Sequence, residues 1–184
     1  MRMWRTLLRR IWNEFNKIFK LSKKKTKNYF KKSILKIVSV GRLTYQKDFG
    51  TLIRAINLIK NRDVQLIIIG KGKEREKLID LIHEYKLQNK IKLIGYKKNP
   101  FNIISQADIF VLTSKFEGSP NVLVEALYLK KYIISTDCPT GPREILNHGK
   151  FGRLVKIGDY KNIAKELNRY SNSNFIKKKI LYGY

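Results

Sequence analysis

Apolar positions fall into two regimes along this chain. In the first twenty residues, Trp4, Leu7, Leu8, Ile11, Trp12, Phe15, Ile18 and Phe19 recur at steps of three and four. Arg2, Arg5, Arg9, Arg10 and Lys17 stand between them. That period predicts an amphipathic helix over Met1–Lys20. From Ile34 onward, short runs of Ile, Val and Leu alternate with stretches of helical period. The runs predict strands at Leu35–Val40, Gln65–Ile69, Ile91–Leu93, Ile109–Leu112, Tyr132–Ser135 and Arg153–Val155. The stretches between predict helices at Phe49–Asn61, Glu74–Tyr85, Phe101–Gln106, Val122–Leu129, Arg143–Leu146 and Lys161–Tyr170. Strands with little alternation are buried on both faces, as in a parallel sheet between helix layers. The expected fold is α/β: a single Rossmann-like domain of about six parallel strands with helices on both faces, preceded by a basic amphipathic helix. Residues 1–32 are assigned to that helix and a solvated Lys-rich linker, Ser22–Lys32, and residues 33–184 to the Rossmann-like domain.

Charge is concentrated toward the N-terminal end. The 184 residues hold 40 Lys and Arg against 14 Asp and Glu, a formal net charge of +26. Residues 1–32 carry twelve of those cations and one acid, Glu14. Such a field suits nucleic acid or an anionic membrane surface. In the body, a solvated Lys-rich surface explains it equally well. The helix suits a bilayer interface, with packing on the domain or on a partner chain as the other reading. A mitochondrial-type presequence shares its features, whereas a secretory signal does not, because charges interrupt the apolar residues and no small-residue cleavage site follows. No apolar run approaches the ~20 residues of a membrane span. The one cysteine, Cys138, has no internal partner, which fits a reducing compartment. The location expected is cytoplasmic, peripheral at the inner face of the cell membrane.

In parallel sheets with helices on both faces, ligands bind beyond the carboxyl ends of the strands. Four polar segments stand at those ends: Gly41-Arg42-Leu43 with Gln46-Lys47-Asp48, Gly70-Lys71-Gly72, Thr113-Ser114 with the segment that follows, and Thr136 to Glu144. Arg42 can grip a phosphate in bidentate fashion and Lys47 adds a point charge. Gly70 and Gly72 read first as a tight turn, since the third glycine of a dinucleotide fingerprint is replaced by Arg75. The third segment, Lys115 to Glu125, is the most informative. Glu117 and Glu125 are eight positions apart, with Gly118, Ser119, Pro120 and Asn121 between them. Ser119 or Pro120 can start a helix whose unpaired N–H groups suit an anion. Glu125 lies among apolar neighbours, so it needs a partner such as a ribose diol or a cation. The pair also fits the two carboxylates of a retaining glycosidase, or a plain loop acid and helix acid. Gly141-Pro142-Arg143-Glu144 opens a short helix at the far wall. His83 and His148 have no metal-ligand neighbours, and no Walker loop, nucleophile elbow or zinc pattern is present.

Taken in order and spacing, these segments resemble the family 4 (group 1) glycosyltransferases, in the C-terminal, donor-binding half of their two-Rossmann-domain fold. The likeness is carried by Val40-Gly41-Arg42-Leu43 with Gln46-Lys47-Asp48, by Ile69 to Gly72, by Phe116 to Ala126, by Ser135 to Leu146, and by Gly149 to Gly152. It implies that Arg42 and Lys47, with Gly41, hold a donor diphosphate. It implies that Gly118, Ser119, Pro120 and Asn121 line the sugar and phosphate region. Glu117, the catalytic candidate, would meet the sugar hydroxyls and Glu125 the ribose. The implied reaction is retaining transfer from a nucleotide-diphosphate sugar, a UDP-sugar first, to a glycan or lipid-linked acceptor in polysaccharide or cell-envelope synthesis. No metal or cofactor is implied. The resemblance also implies an acceptor-binding domain that this chain is expected to lack, and a longer C-terminal helix than Asn174–Tyr184 offers. A fragment, a half-enzyme completed by a second chain, and a non-catalytic partner of another transferase are the three readings of that difference. The alternative outside the family is a basic nucleic-acid-binding protein.

Overall fold

A computed structural model describes residues 2–32, 34–59 and 63–172. The end of the helix expected to reach Asn61 and the segment Asn174–Tyr184 lie outside the described residues. Six strands, β1 (Leu35–Val40), β2 (Val64–Ile69), β3 (Ile91–Leu93), β4 (Ile109–Leu112), β5 (Tyr132–Thr136) and β6 (Arg153–Val155), form one sheet in the order β3-β2-β1-β4-β5-β6. Every pairing is parallel. Seven α-helices accompany them among the described residues: α1 (Arg2–Lys23), α2 (Phe49–Asn57), α3 (Arg75–Glu84), α4 (Phe101–Ile104), α5 (Asn121–Tyr128), α6 (Pro142–Ile145) and α7 (Tyr160–Asn172).

Successive strand residues point to opposite faces, so each face needs its own apolar layer. Ile37, Leu66, Ile109 and Ile134 join one core with residues of α2, α3 and α7. Their immediate neighbours Val38, Ile67, Phe110 and Ile133 join the other with residues of α4, α5 and α6. The unbroken apolar runs of the sequence are this double burial. Strand order reverses between β1 and β4, which are adjacent with Ile37 opposite Ile109. The helices that follow β1 and β4, α2 and α5, therefore pack on opposite faces, and a ligand crevice is expected at the carboxyl ends of the two strands, where that divergence begins.

Helix α1 lies against this body. Ile18 is buried, and the Phe15 ring stacks on Tyr128 of α5 with centroids 4.7 Å apart. Asn99 Nδ2 donates to the Leu21 carbonyl at 2.9 Å. The linker departs from its expected solvated state. Lys23–Asn28 is exposed, but Phe30 is buried in the α4–α5 core. Tyr29 N–H donates to Gln106 Oε1 at 3.0 Å and Lys31 N–H to Gln65 Oε1 at 2.9 Å. One apolar ring and two side-chain amides thus hold the end of the Lys-rich stretch against the sheet. No described helix is long and apolar enough to cross a membrane.

Candidate functional site

The loop after β1 begins with Gly41, whose N–H donates to the Ile69 carbonyl at 3.0 Å. Arg42 is exposed and has no ion-pair or hydrogen-bond partner for its side chain among the described residues. A single 3-10 turn, Tyr45–Lys47, follows, and Asp48 turns the chain into α2 with φ 44. The Asp48 carboxylate caps α2, accepting from Thr51 N–H at 3.4 Å and from Thr51 Oγ1 at 2.8 Å. This turn swings Lys47 back over the end of the sheet.

There it meets the loop after β4. Lys47 Nζ lies 2.5 Å from Glu117 Oε1, with side-chain exposures of 14% and 6%. The same oxygen accepts from Ser114 Oγ at 2.5 Å. Ser114 is fully buried, and its carbonyl accepts from Thr136 Oγ1 of β5 at 2.6 Å. Thr113 Oγ1 donates to the Lys47 carbonyl at 2.9 Å, and Gln46 Nε2 to the Phe116 carbonyl at 2.9 Å. The Glu117 backbone is held from the β5 side: Thr140 Oγ1 donates to its carbonyl, and its N–H donates to the Pro139 carbonyl at 3.4 Å. One carboxylate oxygen is thus fixed by an ammonium and a hydroxyl. Glu117 Oε2 and the remaining N–H donors of Lys47 have no partner among the described residues.

Helix α5 starts at Asn121 after Pro120, with no side-chain cap on its first N–H groups. Gly118, Ser119 and Asn121 are exposed, whereas Pro120 is buried. Pro120 packs on Gly141, where a Cβ would lie 2.5 Å from Pro120 Cδ and φ is +92. So the Gly141-Pro142 turn is the floor under the Gly118–Pro120 segment. Arg143 is turned away in an ion pair with Asp137, its Nε 3.1 Å from Oδ1. Glu125, in the second turn of α5, is half-buried with no partner among the described residues. Burial alone raises its carboxyl above the ordinary value. Cys138 is buried, and that burial pushes its thiol up, so it is no ready nucleophile.

The glycine pair after β2 is a close-approach device. A Cβ on Gly70 would sit 1.8 Å from the Gly41 carbonyl oxygen. Gly70 N–H donates to the Gly95 carbonyl at 3.0 Å, and Leu43 N–H to the Lys71 carbonyl at 3.0 Å. These contacts brace the Arg42 loop from behind. His83 and His148 are exposed, and no group of three metal-ligating side chains exists among the described residues. Ser114, Thr136, Thr140 and Gln46 were not singled out as site residues from sequence. Their only signal was their place at strand ends beside the charged positions.

This order of strands, with these loops at the crevice, has relatives. Residues 20–181 match the family described as glycosyl transferases group 1. The chain belongs to that family. A glycosyltransferase of Methanocaldococcus jannaschii, described as uncharacterized, is 38% identical over 174 residues, covering 84% of this chain and 43% of its own length. The N-acetylgalactosamine-N,N'-diacetylbacillosaminyl-diphospho-undecaprenol 4-alpha-N-acetylgalactosaminyltransferase of Campylobacter jejuni is 34% identical over 142 residues, covering 77% of this chain and 39% of its own. Among solved structures, the lipopolysaccharide outer core galactosyltransferase WaaB, in its apo form, matches with a TM-score of 0.68 at 30% identity, over 76% of this chain and 40% of that one. Anabaena HepE in complex with UDP shares the fold with a TM-score of 0.73 at 23% identity, over 80% and 42%. The group 1 chain described here spans about two fifths of the length of each. Family membership does not favour the nucleic-acid reading.

Proposed function

We propose that this group 1 glycosyl transferase chain binds the donor of a retaining transfer, a nucleotide-diphosphate sugar, at the carboxyl ends of β1 and β4. The observation that carries the reading is the Lys47–Glu117 pair closed across the strand-order reversal, between Arg42 and a half-buried Glu125 whose side chains have no partner among the described residues. Two cations and the open N–H groups of α5 suit a diphosphate. A fixed carboxylate with one free oxygen suits sugar hydroxyls, and a half-buried carboxylate without a partner suits a ribose diol. UDP is the favoured nucleotide because solved neighbours, HepE and TarM, are described in complex with it.

In this reading the bond from the anomeric carbon to the diphosphate oxygen breaks and its electron pair leaves with the nucleoside diphosphate, while an acceptor hydroxyl oxygen bonds to the anomeric carbon from the same face and gives its proton to the departing diphosphate. Arg42, the remaining N–H donors of Lys47 and the start of α5 stabilise the charge that develops there. Ser114 and Lys47 hold Glu117 in one orientation, so its free oxygen is set for the sugar before binding. The acceptor, a glycan or lipid-linked sugar, requires a surface facing the crevice, supplied by a second domain or a second chain. The Campylobacter relative's diphospho-undecaprenol-linked substrate favours a setting at the inner face of the cell membrane.

Titration with uridine, guanosine and adenosine diphosphates tests the donor reading. Saturable binding with UDP tightest is expected, and no saturable binding by any of the three would sink it. Retention is checked separately by proton NMR of the anomeric position in the product of the enzyme with its acceptor surface supplied. An inverted product would overturn that part alone.

A further inference from the structure

Among the described side chains of helix α1, one side meets the body. Phe15 and Ile18 face the domain, while Trp12 and Phe19 are 66% and 51% exposed. Seven residues apart, these two aromatics lie two turns apart on one flank. Lys23, four residues beyond Phe19, continues that flank, its Nζ 5.5 Å from the Phe19 ring centroid. Arg9, Lys17 and Lys20 are exposed on the adjoining side, followed by the exposed Lys24, Lys25 and Lys27. The one acid of the segment, Glu14, is 66% exposed and lies 3.8 Å from Lys17. Neither the fold nor the strand-end crevice uses this surface.

We propose that this flank of α1 is a docking surface for a bilayer rich in anionic headgroups. Trp12 and Phe19 enter the headgroup region, where amphipathic rings and aromatic faces are stable. The flanking lysines and Arg9 reach the phosphate layer, their methylene stems lying along the same interface. Charge selects the partner. Twelve cations against one acid in residues 1–32 repel a second copy of this helix and attract an anionic surface. The aromatics stand on a convex helix flank, whereas base-stacking rings of single-strand binders lie along a basic groove, so a bilayer is favoured over nucleic acid. Docked this way, α1 holds the domain at the membrane through its own face and leaves the crevice free.

Both tryptophans of the chain, Trp4 and Trp12, lie in α1, so tryptophan emission reports this helix alone. A Trp4→Phe variant of the full chain leaves Trp12 as the reporter. Adding mixed phosphatidylcholine–phosphatidylglycerol vesicles is expected to shift its emission to the blue with saturation. Pure phosphatidylcholine should leave it unchanged, and raised salt should weaken the effect. Phe19→Ser is expected to weaken vesicle binding about tenfold. Lys20→Glu with Lys23→Glu should weaken it at least about 25-fold, at about fivefold for each cation lost. These exposed positions lie outside the crevice, so nucleotide affinity is expected to stay unchanged in all three variants, and vesicle binding is readable whether or not UDP binds. The proposal is overturned by an emission unmoved by anionic vesicles, by vesicle binding indifferent to these substitutions, or by single-stranded RNA shifting the emission at lower concentration than vesicles do.

Discussion

Lys47 and Glu117 are 70 positions apart in the chain and 2.5 Å apart at the end of the sheet. Each is the nearest partner of the other's charge, and both are largely out of water. Removing one partner leaves the other charge buried and unpaired, which in such pairs costs about 3–5 kcal/mol. Lys47→Met or Glu117→Gln alone is expected to destabilise the domain by about 3 kcal/mol in urea unfolding. The double variant is expected to cost less than the two single costs added.

Gly70 permits the β1 and β2 loops to touch. With a Cβ 1.8 Å from the Gly41 oxygen, Gly70→Ala must displace backbone, and a loss of at least about 3 kcal/mol is expected. At Gly118 nothing lies within 4 Å of an added Cβ. Gly118→Ala is therefore expected to stay within about 0.5 kcal/mol of the parent. Paired unfolding curves of the two variants check the contrast.

Glu125 carries a stability cost that depends on pH. Burial raises its carboxyl above the value of the unfolded chain. The fold therefore prefers the protonated form, and this contribution is lost as pH rises through the folded value. At neutral pH, Glu125→Gln is expected to raise the melting temperature by about 2 °C. The gain should shrink toward about pH 4, where the glutamate is itself largely protonated. Calorimetry across that range reads the sign. In the proposed site the same substitution weakens UDP binding, so stability and affinity move in opposite directions.

Arg42 separates affinity from stability. It is exposed with no partner among the described residues, so Arg42→Ala is expected to leave unfolding unchanged within about 0.5 kcal/mol. A charge-assisted hydrogen bond is worth about 1.5–3 kcal/mol, so the same change is expected to weaken UDP binding roughly ten- to a hundredfold. Calorimetric titration of the variant measures it.

The inner strands were legible because double burial writes itself as largely apolar runs, and the edge strands β3 and β6 as short apolar stretches with one exposed cation each. Leu35–Val40, Ile91–Leu93, Ile109–Leu112 and Arg153–Val155 fall where the pattern puts them. Helix ends were less so, because termini are decided by individual hydrogen bonds. At the end of α2, Leu58 and Ile59 bond back three residues instead of four, which tightens the turn after Asn57. The site was legible as a set of strand-end segments but not as contacts. The family resemblance assigns Lys47 to a diphosphate and Glu117 to a sugar. That the two meet depends on β1 lying beside β4, a tertiary pairing that local periodicity does not encode. Ser114 was passed over for the same reason, since its hydroxyl gains a partner only when Glu117 folds back over β4. Tyr29 and Phe30 were absorbed into a Lys-rich stretch, although one buried ring suffices to hold it to the core.

A nucleoside diphosphate is proposed to occupy the crevice between β1 and β4. Amide chemical-shift mapping of the chain during a UDP titration tests it most directly. Saturable shifts are expected at Gly41–Lys47, Ser114–Asn121 and Glu125, and in Arg42→Ala the same shifts should need roughly ten- to a hundredfold more UDP. Shifts spread over the basic surface, centred on α1, or absent altogether would contradict it.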